Sequence, residues 1–130
     1  MSQLNEKREY LRAEINVFVN EDVKTGVQLT RAVDISEGGV RYIKPSGEFR
    51  RETNEVYLEF SLPDDDHTVK ALGKVVGDEL NFHSHATSVV FTALSVDNAD
   101  RIRRYVIRRK RAELFESIRK EHLGENTLSN

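Results

Sequence analysis

Two clusters of charged, polar and glycine residues in this 130-residue chain have the composition of a binding site for a flat, anionic ligand. One cluster precedes the first predicted strand, and the other lies at the turn after the second predicted strand. The candidate site residues are Lys7, Arg8 and Arg12 in the first cluster, and Asp34, Ser36, Gly38, Gly39 and Arg41 in the second.

The residue types of both clusters suit a guanine nucleotide. Arginine forms two parallel hydrogen bonds with guanine or phosphate, and its flat face stacks on bases. A carboxylate such as Asp34 accepts from the N1–H and exocyclic amine of guanine. The Ser36 hydroxyl and nearby backbone N–H groups suit phosphate oxygens. Gly38 and Gly39 allow positive φ and close approach of a ligand to the backbone. Together these residues predict a site for a guanine nucleotide with more than one phosphate.

Two alternatives stay open for these residues. The first cluster can be a solvated charged tail, and the second can be a turn in which Asp or Ser side chains close a strand. That turn role is compatible with ligand binding. Arg41 lies on an alternating strand, where its side chain either points at the ligand or is solvated.

Alternating apolar and polar residues predict a mostly β body around these clusters. The turns are predicted at residues 21–26, 45–47, 63–66 and 77–78, where Gly, Pro and Asp interrupt the alternation. Six or seven short strands at this spacing are typical of a small antiparallel barrel or sandwich. The predicted strands are residues 15–20, 27–33, 40–44, 56–61, 69–76, 80–85 and 88–94.

A long helix is predicted from Ser95, which is a suitable N-cap, to the region of Gly124, which is a suitable C-cap. Asp97 and Asp100 suit the positive end of the helix dipole. At about 1.5 Å per residue this helix is ~40 Å long, so its second half should overhang the barrel. Ile102, Tyr105 and Val106 form an apolar stripe, which we expect Ala112, Phe115 and Ile118 to continue.

The charge distribution separates this helix from the body. Residues 1–100 carry 11 Lys and Arg against 18 Asp and Glu, whereas residues 101–130 carry 9 against 4. The block 108–111 holds four consecutive cations that could contact nucleic acid or anionic lipid. We favour the alternative that these cations complement the acidic body. We expect the overhanging apolar residues to be covered by a homodimer or by an acidic partner docked on residues 108–123.

Several classes of protein are excluded or disfavoured. The absence of Cys excludes disulfides, thiolate zinc sites and cysteine nucleophiles. No apolar run approaches membrane-spanning length, and no secretory signal is present, so we expect a cytoplasmic protein. No nucleophile–base pair, metal cluster or cofactor motif is evident, which predicts a non-enzymatic protein without a cofactor. His83 and His85 lack an obvious third metal ligand, and residues 64–66 lack calcium-loop spacing.

The order of these motifs resembles the PilZ domain, a bacterial receptor for the second messenger cyclic di-GMP. The resemblance rests on Arg8-x-x-x-Arg12 followed by Asp34-x-Ser36-x-x-Gly39 at the end of a second strand, and it covers roughly residues 6–107. It implies a small six-stranded antiparallel β-barrel followed by a long C-terminal helix. It also implies a flexible N-terminal arm (residues 1–12) and a barrel with the start of the helix (13–107). Beyond the resemblance, the sequence predicts a basic helical extension with a frayed tail (108–130).

The resemblance further implies roles for individual residues. The arm folds over the ligand, where Arg8 and Arg12 bind guanine and phosphate, while Asp34, Ser36 and Gly39 line the opposite wall. In the family, the residue at the position of Lys7 influences whether one ligand or an intercalated pair is bound, and a long cation is compatible with a pair. Many members carry an aromatic residue where this chain has residues 77–78, a departure that predicts lower affinity.

These features predict a non-enzymatic cyclic di-GMP receptor that orders its arm over the ligand and signals to an effector protein. Two alternatives remain. One is a PilZ-like interaction module that does not bind nucleotide. The other is a nucleic-acid-binding regulator that uses the basic helix. We disfavour this alternative because the positive charges of the helix complement the acidic body.

Overall fold

The computed structural model describes residues 10–23, 26–45, 53–80 and 84–128, which form six β-strands and one α-helix. The predicted mostly β fold with a C-terminal helix is confirmed. The elements are β1 (Ala13–Val23), β2 (Gly26–Ser36), β3 (Gly39–Pro45), β4 (Glu55–Phe60), β5 (Val69–Leu80), β6 (Ser84–Leu94) and α1 (Val96–Leu128).

The six strands close into an antiparallel barrel with the order β1-β2-β3-β6-β5-β4, and pairing of β1 with β4 completes the ring. Alternate residues of each strand point inward, so the period-2 pattern of the sequence becomes the core. The largest fully buried side chains include Tyr42, Ile35 and Leu58. Because the barrel is closed, its strands present no free sheet edge.

Two predicted turns lie inside strands. Residues 21–23 belong to β1, and Glu21 is fully buried, where its carboxylate accepts a hydrogen bond from the Tyr42 hydroxyl. The prediction of a turn over residues 21–26 is therefore wrong for residues 21–23. Likewise, β5 continues through residues 77–78 to Leu80, so the predicted turn there and the separate strand at 80–85 are wrong.

β-Bulges shift the pairing register at two places that matter for the candidate site. Ala32 pairs with Tyr42 and Asp34 with Arg41, which leaves Val33 as an extra residue in β2. In β5 a similar shift between Val75 and Gly77 leaves Val76 as the extra residue against β6. Bulges of this kind turn side chains away from the regular alternation.

The helix begins as predicted, because the Ser95 hydroxyl accepts the backbone N–H of Asn98 at 3.1 Å. Ile102 is fully buried against the barrel, and the Tyr105 hydroxyl donates to the Glu14 carbonyl at 2.8 Å. The helix continues past Gly124 to Leu128, so the predicted C-cap is wrong.

The expected overhang of the helix is confirmed. After Glu113 every side chain that the structure describes is exposed, with Phe115 at 72% and Ile118 at 52%. However, these residues do not continue the stripe of Ile102. The barrel-facing side continues instead through half-buried Arg109 and Glu113. In the part of the chain that the structure describes, no helix combines the length and apolar composition needed to span a membrane.

The loop between β4 and β5 is tied to the helix. The Asp65 carboxylate accepts the backbone N–H of His67 at 2.9 Å and lies 3.5 Å from the Arg101 guanidinium. The backbone hydrogen bond from His67 is the main cause that lowers the pKa of Asp65. The prediction of a solvated loop tip holds for exposed Asp64 and Asp66, whereas Asp65 anchors the loop to α1.

Candidate functional site

An open groove of about 970 Å³ lies where the start of β1, the β2–β3 turn, the bulge of β5 and the first turns of α1 meet. Six of the predicted site residues line it. They are Arg12, Asp34, Ser36, Gly38, Gly39 and Arg41. Lys7 and Arg8 lie outside the described residues. Of the first cluster, Arg12 therefore lies beside the second cluster in space.

Asp34 is the acidic centre of this groove. Its Oδ2 lies 3.9 Å from Nη1 of Arg12, and its side chain is 34% exposed. The other carboxylate oxygen, Oδ1, is buried and has no hydrogen-bond partner among the described residues. A buried acceptor without a donor is uncommon in folded proteins because it loses its hydration without compensation. This oxygen is available for a ligand donor that enters the groove.

Ser36 shapes the turn that follows. Its side chain is buried, and its hydroxyl accepts the backbone N–H of Gly38 at 3.1 Å. This hydrogen bond closes the turn in the way that serine side chains commonly do. The predicted turn role of this motif is thus present, with Ser36 as the residue that closes it. The same hydroxyl keeps acceptor capacity for other partners.

Gly38 and Gly39 are required for space, and neither adopts the positive φ that glycine allows. Among the described glycines only Gly26 has a positive φ. A Cβ on Gly39 would lie 2.2 Å from the carbonyl oxygen of Val89, a contact that backbone atoms cannot relieve easily. A Cβ on Gly38 would lie 2.7 Å from the ring of Tyr10. Gly38 therefore provides the flat surface on which that ring rests.

Arg41 and two valines form another part of the groove lining. Arg41 is 40% exposed and its Nη2 lies 3.6 Å from Oε2 of Glu79. Its guanidinium thus lies beside the groove in an ion pair, a combination of the two predicted alternatives. Val76, the extra residue of the β5 bulge, and Val90 are 62% and 44% exposed. They supply an apolar surface, and Val76 directly precedes residues 77–78, where the resemblance leads one to expect an aromatic side chain.

The groove also borders the helix. Ala99 of α1 lines it, and Glu37 of the β2–β3 turn lies 3.5 Å from Nη1 of Arg103. The Tyr105 hydroxyl donates a hydrogen bond to the Glu14 carbonyl, and Glu14 pairs with Asp34 across β1 and β2. The turn that carries the site and the strand that leaves the arm are therefore both attached to the first turns of α1.

Sequence analysis missed Tyr10, Glu37 and Val76. Tyr10 lies between the two arginines of the first motif, which was a usable signal, but its contact with Gly38 depends on the fold. The role of Glu37 depends on the helix that returns to the turn. Val76 is exposed because of a bulge that alternation alone does not predict.

Other polar clusters are less suited to an anionic ligand. His85 Nε2 and the Thr87 hydroxyl each lie 2.8 Å from Oδ1 of Asp78, while His83 lies outside the described residues. No group of three potential metal ligands occurs among the residues that the structure describes. A shallower groove of about 400 Å³ on β1, β2 and β4 includes Phe18, Leu29 and Glu59, and its described lining contains no cation.

Comparison with known proteins identifies the sequence family. The sequence model of the PilZ domain matches residues 6–108, which is most of the chain. A search of the curated proteins finds no significant match.

Solved structures with the same fold share low sequence identity with the chain. The inhibitor of motility MotI/DgrA of Bacillus subtilis superposes with a TM-score of 0.70 at 18% identity, over 79% of this chain and 51% of that one. The PilZ domain of YcgR from Escherichia coli, solved with c-di-GMP, has a TM-score of 0.66 at 11% identity, over 85% and 97%. The MrkH–c-di-GMP complex of K. pneumonia has a TM-score of 0.63 at 17% identity, over 87% and 54%. The chain thus spans about half the length of MotI/DgrA and MrkH.

Proposed function

Since this chain belongs to the PilZ domain family, we propose that it is a non-enzymatic receptor for cyclic di-GMP. The ligand would bind in the groove between the β2–β3 turn and the segment that leaves the arm. Two structures with the same fold, those of YcgR and MrkH, were solved with this ligand, which supports the choice of nucleotide.

The observation that carries this proposal is the unpartnered oxygen of Asp34 beside a cation in an open groove. Guanine presents two adjacent donors, N1–H and the exocyclic amine, to one carboxylate. Adenine lacks this pair of donors. Asp34 would therefore select guanine, and the ligand would satisfy the oxygen that has no partner among the described residues.

Cations at the groove suit the phosphates of the same ligand. Arg12 is 66% exposed and makes a long contact with Asp34, so its guanidinium can turn to a phosphate or a base. Lys7 and Arg8 belong to the arm, which joins the described chain at Tyr10 beside the groove. We expect the arm to close over the bound nucleotide, with Arg8 on guanine or phosphate and Lys7 favouring a second ligand molecule.

The surface beneath the ligand is apolar and closely shaped. Gly39 lines the groove, and Val76 and Val90 can cover a base face. Valine offers less stacking area than an aromatic ring, since a ring provides a flat π-face to the base. We therefore expect weaker binding than in family members with an aromatic residue there.

Closure of the arm over the ligand would also provide a means of signalling to an effector. Closing a segment over a ligand creates a surface that the free protein lacks, and the ligand stabilises that state by its differential affinity. The Glu37–Arg103 ion pair connects the site turn to α1, so the helix borders this new surface. We propose that an effector protein recognises the closed arm.

Isothermal titration calorimetry with cyclic di-GMP and cyclic di-inosine monophosphate tests the proposal. The inosine compound lacks the exocyclic amine, so it should bind the native chain about tenfold or more weakly if one buried hydrogen bond to a carboxylate is lost. In Asp34→Ala the two ligands should bind with nearly equal, reduced affinity. A full preference for guanine in Asp34→Ala would show that another residue reads the base.

Absence of cyclic di-GMP binding would instead favour the interaction-module alternative. A DNA mobility-shift assay at several salt concentrations addresses the nucleic-acid alternative, because phosphate contacts make affinity fall steeply with salt. Several helix cations lie within 4 Å of carboxylates: Arg101 by Asp65, Arg104 by Asp100, and Arg109 and Lys110 by Glu113. Within the block 108–111, Arg109 and Lys110 pair with Glu113 of the same helix. The prediction that the block complements the acidic body therefore stays a prediction.

A further inference from the structure

The helix α1 carries an apolar row on the side away from the barrel, and this row extends into the overhanging half. Ile107, Leu114 and Ile118 are 38%, 61% and 52% exposed. At about 100° per residue these three side chains lie within about 40° of one another around the helix axis. Ile102, which is buried against the barrel, lies about 140° away from Ile107 on the same scale. The row is therefore a second apolar face, separate from the one that the barrel covers.

This row belongs to a longer set of exposed residues spaced alternately three and four apart, which we call the seam. The seam consists of Arg104, Ile107, Arg111, Leu114, Ile118 and Glu121. Spacing of this kind keeps side chains on one side of a helix and is the pattern by which two helices pack along their length. When two helices pack in this way, the seam residues of each helix face the other helix.

The charges of the seam favour one orientation for a second copy. In a parallel, in-register pair, each charged residue of the seam meets its own copy, so Arg104, Arg111 and Glu121 all face like charges. In an antiparallel pair with Ile107 opposite Ile118, Arg104 lies opposite Glu121. Leu114 then lies against the aliphatic stem of Arg111, whose charged end can reach water.

The surrounding charges agree with that orientation. Residues 101–111 carry seven cations and no carboxylate, whereas residues 112–123 carry three carboxylates and two cations. Antiparallel pairing places the basic half of each helix along the other half of its partner. The two barrels then lie at opposite ends of the pair and on the outer sides of the helices.

We propose that two copies of this chain form an antiparallel helix dimer through the seam, with Ile107 of each copy opposite Ile118 of the other. The dimer covers the apolar row that the chain alone leaves in water. It forms without nucleotide, so its test is independent of ligand binding.

Sedimentation equilibrium across a concentration series gives the first test. The native chain should be a dimer, and Leu114→Lys should weaken association at least tenfold or abolish it. Ala112→Lys is the matched control, because Ala112 is also exposed but lies about 140° from Ile107. Circular dichroism establishes that both variants keep the helix. A native chain that stays monomeric at all concentrations overturns the proposal, as does equal loss of association in the control.

A charge exchange tests the orientation. Arg104→Glu and Glu121→Arg should each weaken the dimer by about tenfold, since each dimer has two such contacts and an exposed pair contributes a factor of about two to five. The double variant Arg104→Glu/Glu121→Arg should restore association. Lys120→Glu makes the same change of charge at an exposed position away from the seam and should have little effect. Failure of the double variant to recover association overturns the antiparallel register.

The absence of native Cys allows a direct check of register by disulfide formation. The double variant Ile107→Cys/Ile118→Cys should form a covalent dimer under mild oxidation, because a disulfide requires Cα atoms within about 7 Å. Each single variant should stay non-covalent. Rapid cross-linking of Ile107→Cys alone would indicate a parallel pair and contradict the proposal.

Discussion

The Arg12 guanidinium lies 3.9 Å from the Asp34 carboxylate, at the point where the chain enters β1 and passes close to the end of β2. The contact is long and solvent-exposed, so it contributes little to stability. Its consequence is positional, because it keeps a cation and an acceptor on the same groove before any ligand arrives. The ligand therefore needs less of its binding energy to bring these two groups together.

Replacing Arg12 by Ala should weaken cyclic di-GMP binding by roughly tenfold or more, because a paired guanidinium contact is worth about 1–3 kcal/mol. The same is expected of Arg8→Ala. Calorimetry measures the affinity, and thermal unfolding without ligand should change little for Arg12→Ala because its side chain lies outside the core. Arg119→Ala is a suitable control, since Arg119 is similarly exposed at 69% but lies on the distant half of α1.

A large fall in the melting temperature of free Arg12→Ala, together with unchanged affinity, would contradict this assignment. It would make the residue a structural one.

The two neighbouring glycines should respond differently to Ala. Gly39→Ala places a Cβ against the Val89 carbonyl, so the β3–β6 pairing must shift at a cost of about 1–3 kcal/mol. Gly39→Val should be worse. Gly38→Ala meets only the Tyr10 ring, which is 42% exposed and can move. We expect Gly38→Ala to leave the unfolding free energy nearly unchanged while lowering affinity, because the ring then occupies more of the groove. Chemical unfolding and calorimetry measured on both variants separate these effects.

Equal destabilisation by Gly38→Ala and Gly39→Ala would mean that the Tyr10 ring is as rigid as the barrel backbone. Unchanged binding in a folded Gly39→Val variant would place the site elsewhere.

Acid unfolding should report on Asp65. The hydrogen bond from the His67 backbone lowers the pKa of this carboxyl below its ordinary 3.8, with Arg101 adding a smaller effect. A lowered folded-state pKa stabilises the fold above the unfolded value, and this contribution is lost as the pH falls through the folded value. Asp65→Asn should therefore lose less stability than the native chain between about pH 4 and pH 2, whereas the exposed Asp66→Asn should follow the native curve. The prediction is contradicted if the unfolding free energy of Asp65→Asn falls with decreasing pH as steeply as that of the native chain.

The barrel was predictable because most of its strands bury every second residue, as in Val56, Leu58 and Phe60. The failures have a common cause. Glu21 begins a run of residues with turn-like composition, but it lies in β1. There its carboxylate accepts a hydrogen bond from the hydroxyl of Tyr42 in β3. Residues 77–78 contain a typical turn pair, yet they continue β5 after the bulge at Val76. In both cases an interaction with another strand overrides the local preference.

The candidate site was likewise predicted only in part from the sequence. Arg12, Asp34 and Gly39 were identified from short motifs, because each motif lies within one segment of chain. The Tyr10–Gly38 and Glu37–Arg103 contacts join segments that meet only after the barrel closes and α1 returns to it. The direction of the distal helix face was also misjudged, because Ile118 follows a different helical row from Ile102.

Tyr105 joins α1 to the barrel and should confer a dependence on alkaline pH. Its hydroxyl donates to the Glu14 carbonyl, and burial is the main cause that raises its pKa above 10. A raised folded-state pKa means that the stabilisation is complete below the unfolded value and is lost as the pH rises through the folded value. Tyr105→Phe should be less stable by about 1 kcal/mol at pH 7, since one hydrogen bond is lost. As the pH rises beyond 10, the native chain should lose this advantage. Urea unfolding measured from pH 7 to pH 11 on both proteins tests this, and a constant difference in unfolding free energy across that range would contradict it.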